Sequence, residues 1–321
     1  MCSSDLPGSV LRYALRRMQS RDRPAWAALD VGTNTVLLLV ARAGERGALE
    51  VLEDHCSTPR LGEGLARSGA IAPAAAERAL AALELFARRL SELGLPRART
   101  RAVGTAVLRR ARNAAQFVGR VRARTGLSIE VLGEDEEAEL AHLAVAGELA
   151  GARAAIVDVG GGSTEFSSAD GGLRLSIPVG AVVLSESFPA AADFPGLLAA
   201  ARAAASALPE RGAAAEACVL LGGTAVNLAA LARGLERFDP ERAEGGPVSA
   251  ALALHWAREL AAMPLERRLE LPLEPERAAI LPAGLACAAA ALERVAPASV
   301  RASGRGLRFG VVRRLCGRPG A

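Results

Sequence analysis

At 321 residues, 51% of them hydrophobic and 23% charged, the chain is long enough for two globular domains and too apolar for a disordered or collagen-like polymer. All 39 basic residues are arginine, yet the formal net charge is only +4. Three of those charges fall in residues 1–23, where Arg12, Arg16, Arg17, Arg21 and Arg23 meet only Asp5 and Asp22, so the rest is near neutral and no nucleic-acid partner is expected.

Residues 1–23 lack a long apolar stretch and read as an extension outside the fold. Residues 25–42 run apolar to Asp30, break at Gly32-Thr33-Asn34 and resume at Val36, which predicts strand, tight turn, strand. This apolar stretch is too short for a bilayer and contains Asp30, so no membrane partner is expected. Leu80, Leu83, Phe86 and Leu90 recur at helical spacing over 73–94, ending at Gly94. A strand is predicted at 99–103, a helix at 113–124, a strand at 128–132, and a helix from Glu134 through Leu149.

The second half opens with another strand, glycine turn and strand at 154–168, then a turn and a strand at 173–178. Residues 217–221 form a strand delivering Gly222-Gly223-Thr224 to a helix at 225–233. A long loop is expected at 238–247; the remainder reads as largely helical and Ala-rich, ending with 300–312, and leaves room for a homodimer surface. Cys2, Cys56, Cys218, Cys287 and Cys316 are odd in number and scattered without a CxxC pair, which points to reduced thiols and a cytoplasmic protein.

The two openings repeat one another. Asp30-Val31-Gly32-x-x-Thr35 recurs 128 positions later as Asp158-Val159-Gly160-x-x-Ser163, a repeat at domain length that predicts two similar α/β domains facing each other. One such turn is an ordinary hairpin with a capping aspartate. Two copies predict a phosphate cleft: backbone N–H groups of Gly32, Thr33, Asn34, Thr35 and of Gly160, Gly161, Gly162, Ser163, Thr164 cradle oxygens, while the strand-end carboxylates hold a bridging divalent cation. Glu165 lies on the outgoing strand, able to face the same cleft. No GK[ST] follows any glycine run, which excludes a P-loop, and the glycines separate strands instead of opening a helix, which excludes a dinucleotide fingerprint.

Three further segments fit that chemistry. Glu134-Asp135-Glu136-Glu137 complements a helix dipole, and its place between the halves suits a carboxylate that takes a proton from water. Arg109, after the strand and turn at 102–105, is suited to neutralising phosphate oxygens. Gly222-Gly223-Thr224 at a helix N-terminus suits an anion or ribose. The histidines His55, His142 and His255 show no ligand spacing.

Seven ordered motifs then resemble the exopolyphosphatase/guanosine pentaphosphate phosphohydrolase (Ppx/GppA) family: DVGTNT at 30–35, GTAVLRRARN at 104–113, DEEA at 135–138, DVGGGSTEF at 158–166, PVGAVVLSE at 178–186, GGTAVNLAAL at 222–231 and GRGLRFG at 304–310. The resemblance covers about residues 25–312 and looks like the short, two-domain form. It implies an actin-like ATPase (ribonuclease H-like) fold, with domains at 24–141 and 142–303 and a segment 304–321 that returns to the first. It further implies hydrolysis of a terminal phosphoanhydride of inorganic polyphosphate or guanosine pentaphosphate (pppGpp), with Glu136 as general base. Asp30, Asp158 and Glu165 are implied to hold Mg²⁺ or Mn²⁺, and Arg109 to contact phosphate. A kinase of the same superfold and a non-catalytic sensor of polyphosphate or (p)ppGpp are the alternatives. The chain departs from the family pattern at Ala106, Glu134, Val183 and Ala279, which bears on substrate grip and chain-length preference.

Overall fold

The computed structural model describes residues 23–145, 154–168, 170–188, 193–210 and 217–317. The expected extension at 1–23 therefore lies, but for Arg23, outside the described residues.

The first half builds one five-stranded sheet. Strand β1 (Trp26–Val31) pairs antiparallel with β2 (Val36–Ala43), and β2 pairs antiparallel with β3 (Leu49–Ser57). Helix α1 (Pro73–Glu92) then crosses to β4 (Thr100–Gly104), parallel to β1. The short α2 (Ala106–Arg110) and α3 (Ala114–Thr125) lead to β5 (Ile129–Val131), giving the order β3-β2-β1-β4-β5. Strand β1 is central, and Ala27, Ala28, Leu29 and Val31 are wholly buried, because a strand covered on both faces has no polar side.

Helix α4 (Glu134–Val145) carries the chain to the second sheet, where β6 (Ala154–Val159), β7 (Thr164–Ser167) and β8 (Arg174–Ile177) form an antiparallel meander. Helices α5 (Ala181–Ser187) and α6 (Phe194–Ala205) precede β9 (Ala217–Leu221), which lies parallel to β6 and runs directly into α7 (Gly223–Ala232). The short β10 (Pro247–Val248), α8 (Ala250–Ala262), α9 (Leu281–Val295), β11 (Ser299–Ser303) and α10 (Leu307–Cys316) complete the described chain. The order β10-β11-β9-β6-β7-β8 reproduces the first sheet, with β10 added at its edge.

Three expectations are corrected here. Residues 299–303 form strand β11, so the helix expected over 300–312 begins only at Leu307. The loop expected at 238–247 contains a helical turn, Pro240–Ala243, capped by the Asp239 side chain. The edge strand β3 falls in a stretch that the sequence left without an element.

Helix α4 lies between the halves. Leu140 and Ala144 pack with Leu39, Val103, Val312 and Leu315, on the side of the first sheet and α10, whereas Ala141 and Val145 pack with Ile156, Val219 and Leu221 of the second sheet. The crossing with α10 is tight: a Cβ on Gly310 would lie 1.8 Å from the Leu140 carbonyl oxygen. At this backbone contact only glycine fits. Among the described residues, no helix is long and apolar enough to cross a membrane.

Candidate active site

The two glycine hairpins have the same construction. In the first, Gly32 N–H donates to the Thr35 carbonyl at 2.9 Å and Asp30 pairs with Leu37 across the strands. In the second, Gly160 N–H donates to Ser163 at 3.0 Å and Asp158 pairs with Glu165. The hairpins meet tip to tip: a Cβ on Gly161 would lie 3.2 Å from Thr33 Cβ and 3.3 Å from Asn34 Cβ, and one on Gly162 only 2.5 Å from Thr33 Oγ1. Each turn is also braced from behind. Gly62 N–H donates to the Thr33 carbonyl at 2.8 Å, while Ala181 and Val182 at the start of α5 donate to the Gly160 and Gly161 carbonyls, both at 2.9 Å.

Between the halves lies a cleft of about 950 Å³. Asp30, Gly32, Thr33, Asn34, Thr35, Asp158, Gly160, Gly161, Gly162, Ser163, Glu165, Gly222 and Gly223, all singled out from sequence, line it. Strands β4 and β9 correspond, since Asp30 is in register with Val103 and Asp158 with Leu221, which brings a glycine beside each aspartate: Gly104 ends β4 and Gly222 follows β9. At Gly222 the backbone φ of +90° and a Cβ-to-Asp158 Oδ1 distance of 3.1 Å both favour a residue without a side chain.

Four of the sequence-assigned residues do not line the cleft. Glu136 does not line the cleft: its Oε1 accepts from Arg101 Nη2 and Arg314 Nη1, each at 2.9 Å, on the α10 side of α4. Its neighbour Glu137 does line it. The helix explains the exchange. Residues four apart share a face, so Glu136 follows Leu140 toward the first sheet and α10, whereas Glu137 stands one turn before Ala141, which itself lines the cleft. Arg109 is likewise withdrawn from the cleft wall; its Nη1 donates to Glu137 Oε2 at 2.5 Å and to the Leu132 carbonyl at 2.9 Å, tethering the glutamate. Thr164 donates to the Val179 carbonyl at 2.7 Å, and Thr224 is turned toward Gly284 of α9; both are buried away from the cleft.

The electrostatics follow from this convergence. Burial, then the neighbouring charges of Glu137 and Asp158, pushes the Asp30 carboxyl from 3.8 up to about 7, against the opposing pull of Arg308. Burial and Glu137 likewise push Asp158 up to about 7, with Arg277 opposing. Glu165 is raised well above its ordinary value by burial, Glu137 and Asp158, and Glu137 is raised by burial despite the Arg109 hydrogen bond. Four carboxylates that disfavour one another's charge in one cleft are stored affinity for a cation or a proton.

The donor set suits a hard divalent ion completed by substrate. Among the described residues, Asp30 Oδ1 is buried with no hydrogen-bond partner, as is the Asn34 amide nitrogen, leaving one acceptor for a cation and one donor for a phosphate oxygen. Among the described residues no three Asp, Glu, His or Cys side chains close around an ion by themselves. That is the situation in which Mg²⁺ is held by one or two carboxylates together with phosphates and water.

Sequence reasoning missed the cleft-lining Glu137, Asp54, His55, Glu274, Arg277 and Arg308. For Glu137 the signal was present in the phase of the α4 pattern; Arg308 stands in the motif at 304–310, and Arg277 two residues before Ala279.

A family model described as the Ppx/GppA phosphatase family matches residues 39–318. The chain belongs to the Ppx/GppA phosphatase family. A crystal structure of the Aquifex aeolicus member of this family is 28% identical, covering 90% of this chain and 96% of that one with a TM-score of 0.73. An exopolyphosphatase-like protein is 25% identical over 91% of this chain and 98% of its own, with a TM-score of 0.80. An exopolyphosphatase from Cytophaga hutchinsonii, 22% identical over 92% and 99%, shares the fold with a TM-score of 0.73. The duplicated strand order is that of the actin-like α/β fold expected from the Ppx/GppA resemblance.

Proposed function

We propose that this Ppx/GppA protein hydrolyses the terminal phosphoanhydride of inorganic polyphosphate or of guanosine pentaphosphate, by in-line attack of a water that Glu137 orients and deprotonates. The observation that carries the reading is the meeting of Asp30, Glu137, Asp158 and Glu165 in one cleft between two abutting glycine hairpins. The hairpin amides and the Asn34 amide bind the oxygens of the terminal phosphoryl group, where charge spreads during transfer. One or two of Asp30, Asp158 and Glu165, together with the phosphates, would hold Mg²⁺ or Mn²⁺, which would neutralise charge on the substrate oxygens. Arg109 fixes the Glu137 carboxylate and leaves Glu137 Oε1 for the water. The raised proton affinity of Glu137 moves it toward the range where a general base works best near neutrality, so turnover rises with pH as it deprotonates.

Phosphate release from polyphosphate, pppGpp and ATP, measured side by side with and without Mg²⁺, tests the reading. Glu137→Gln is expected to lower kcat by about 10²–10⁴-fold, the usual contribution of a general base. Glu136→Gln keeps most of the activity, because its partners are Arg101 and Arg314. The reverse ranking, or metal-independent release, would overturn it.

A further inference from the structure

The two hairpins belong to different halves, yet both present their amides to one cleft, so their spacing has to be held from behind the tips. The segment after β3 supplies one side of that hold. Besides the Gly62 bond to Thr33, Arg60 N–H donates to the Asn34 carbonyl at 3.0 Å, and Glu63 N–H donates back to the Arg60 carbonyl at 3.0 Å. Arg60 sits at a φ of +54°, a left-handed conformation that a residue with a side chain rarely adopts. Such a conformation persists only where its surroundings over-determine it, which marks residues 60–64 as a tightly held brace for the first hairpin.

Helix α5 is the brace of the second hairpin. The N–H groups of Ala181, Val182 and Val183 donate to the Gly160 and Gly161 carbonyls at 2.9–3.2 Å. Residues four apart share a helix face. Val182 turns Cγ2 toward Gly161, 3.2 Å from where a Cβ there would stand, and Glu186, one turn on, reaches out of its half. Gly64 N–H, at the end of the first brace, donates to Glu186 Oε1 at 2.8 Å, across 122 positions of sequence. One connection therefore runs from the first hairpin through residues 60–64 and Glu186 to α5 and the second hairpin. Arg110 of α2 crosses the same boundary, its Nη1 donating to the Gly162 carbonyl at 3.2 Å. Glu186 Oε2 is buried and, among the described residues, has no hydrogen-bond partner. A buried acceptor without a partner costs stability, so what this side chain supplies is the bond to Gly64.

We infer that Glu186 is a positioning residue: by joining the two braces it sets the spacing of the hairpins, and with it the alignment of a bound phosphoryl group against Glu137 and the carboxylates of the second hairpin. Glu186 does not line the cleft, so it acts through the hairpins and touches neither substrate nor ion. Its effect on turnover rests on the hydrolase reading; the coupling of the hairpins does not.

The test pairs steady-state kinetics on polyphosphate with hydrogen exchange of the substrate-free full chain. Glu186→Ala and Glu186→Met both remove the carboxylate acceptor; the second keeps a side chain of similar length and carries the test if the alanine variant fails to fold. Each is expected to lower kcat by about 10- to 10²-fold, the upper end being the scale of a misplacement of about 1 Å at a reacting centre, with KM changing less than kcat. The amides of Arg60, Gly62 and the first hairpin should exchange several-fold faster, although the substitution lies in the other half. Glu186→Gln keeps an oxygen for the Gly64 N–H and should retain both kcat and the wild-type exchange pattern. A purely local role would speed exchange in α5 and the second hairpin alone. That pattern, unchanged kcat in folded variants, or a Gln variant as impaired as the Ala variant overturns the positioning role. If the wild-type chain releases no phosphate from any phosphoanhydride, the hydrolase reading falls instead, and the exchange data alone decide the coupling.

Discussion

Residues 30–37 and 158–165 have the same strand register and the same turn hydrogen bond, yet the first presents Leu37 to the cleft where the second presents Glu165. The same holds one layer out. Thr105 is the N-cap of the short α2 after β4, while Gly223 begins the longer α7 after β9 and leaves room for Arg277. Duplication thus supplied a symmetric cradle, and side-chain replacement made one wall acidic and the other a scaffold. The first hairpin contributes one carboxylate, with a buried oxygen that has no hydrogen-bond partner among the described residues; the second contributes two.

That asymmetry predicts unequal responses. Asp158→Asn and Glu165→Gln should each reduce metal-dependent phosphate release on the order of 10³-fold, since several kcal/mol of charge stabilisation are lost with the ion. Asp30→Asn should cost less, on the order of 10²-fold, with the remaining activity recovered at higher Mg²⁺. Equal losses at all three positions would erase the functional distinction between the hairpins.

The next effect concerns stability. Asp30 and Asp158 hold a proton up to about pH 7 when folded but only to the ordinary aspartate value of 3.8 when unfolded, so the folded state binds more protons across that window. Stability of the metal-free protein should therefore fall as pH rises from about 4 to 7, by on the order of a few kcal/mol, and stay low above it. Mg²⁺ takes the place of those protons and flattens the slope. Thermal unfolding at pH 5 and pH 8, in chelator and in Mg²⁺, reads this directly; a chelated protein more stable at pH 8 would contradict it.

The smallest effect separates the two braces. A Cβ on Gly180 would meet backbone atoms of Gly160, Gly161 and Ser163 at 2.6–2.7 Å, whereas one on Gly62 meets Thr33 Cγ2 at 2.3 Å, a side-chain methyl that can turn aside. Gly180→Ala should destabilise by about 1–3 kcal/mol and Gly62→Ala by less, measured by urea unfolding. The reverse order would show the first hairpin to be the more rigid.

How far the sequence revealed this molecule follows the same division. The repeat was legible because buried central strands ending on aspartate and glycine allow little variation, and the β1–β2 and β6–β7 hairpins lie where the pattern placed them. Strand β3 was not legible: it is an edge strand carrying Glu50, Glu53 and Asp54, without a clean apolar alternation. β11 is five residues long with Arg301 at its centre and was absorbed into the following helix. At the site, the acidic start of α4 was readable, but which of two adjacent glutamates enters the cleft depends on helix phase, set here by Leu140 against α10 and Ala141 toward the cleft. Arg109 was recognised as near the chemistry, though its partner is Glu137. Arg277 and Arg308 are placed by contacts with Gly223 and Asp54, distant in sequence and marked by no local pattern.

If the hydrolase reading holds, the second hairpin's carboxylates and the phosphate chain share one divalent ion. Electron paramagnetic resonance of Mn²⁺ titrated into the full chain, with and without a non-hydrolysable polyphosphate analogue, tests it most directly. The prediction is weak binding alone, markedly tighter binding with the analogue, and loss of that gain in Glu165→Gln. Mn²⁺ binding that ignores both the analogue and the substitution would contradict it.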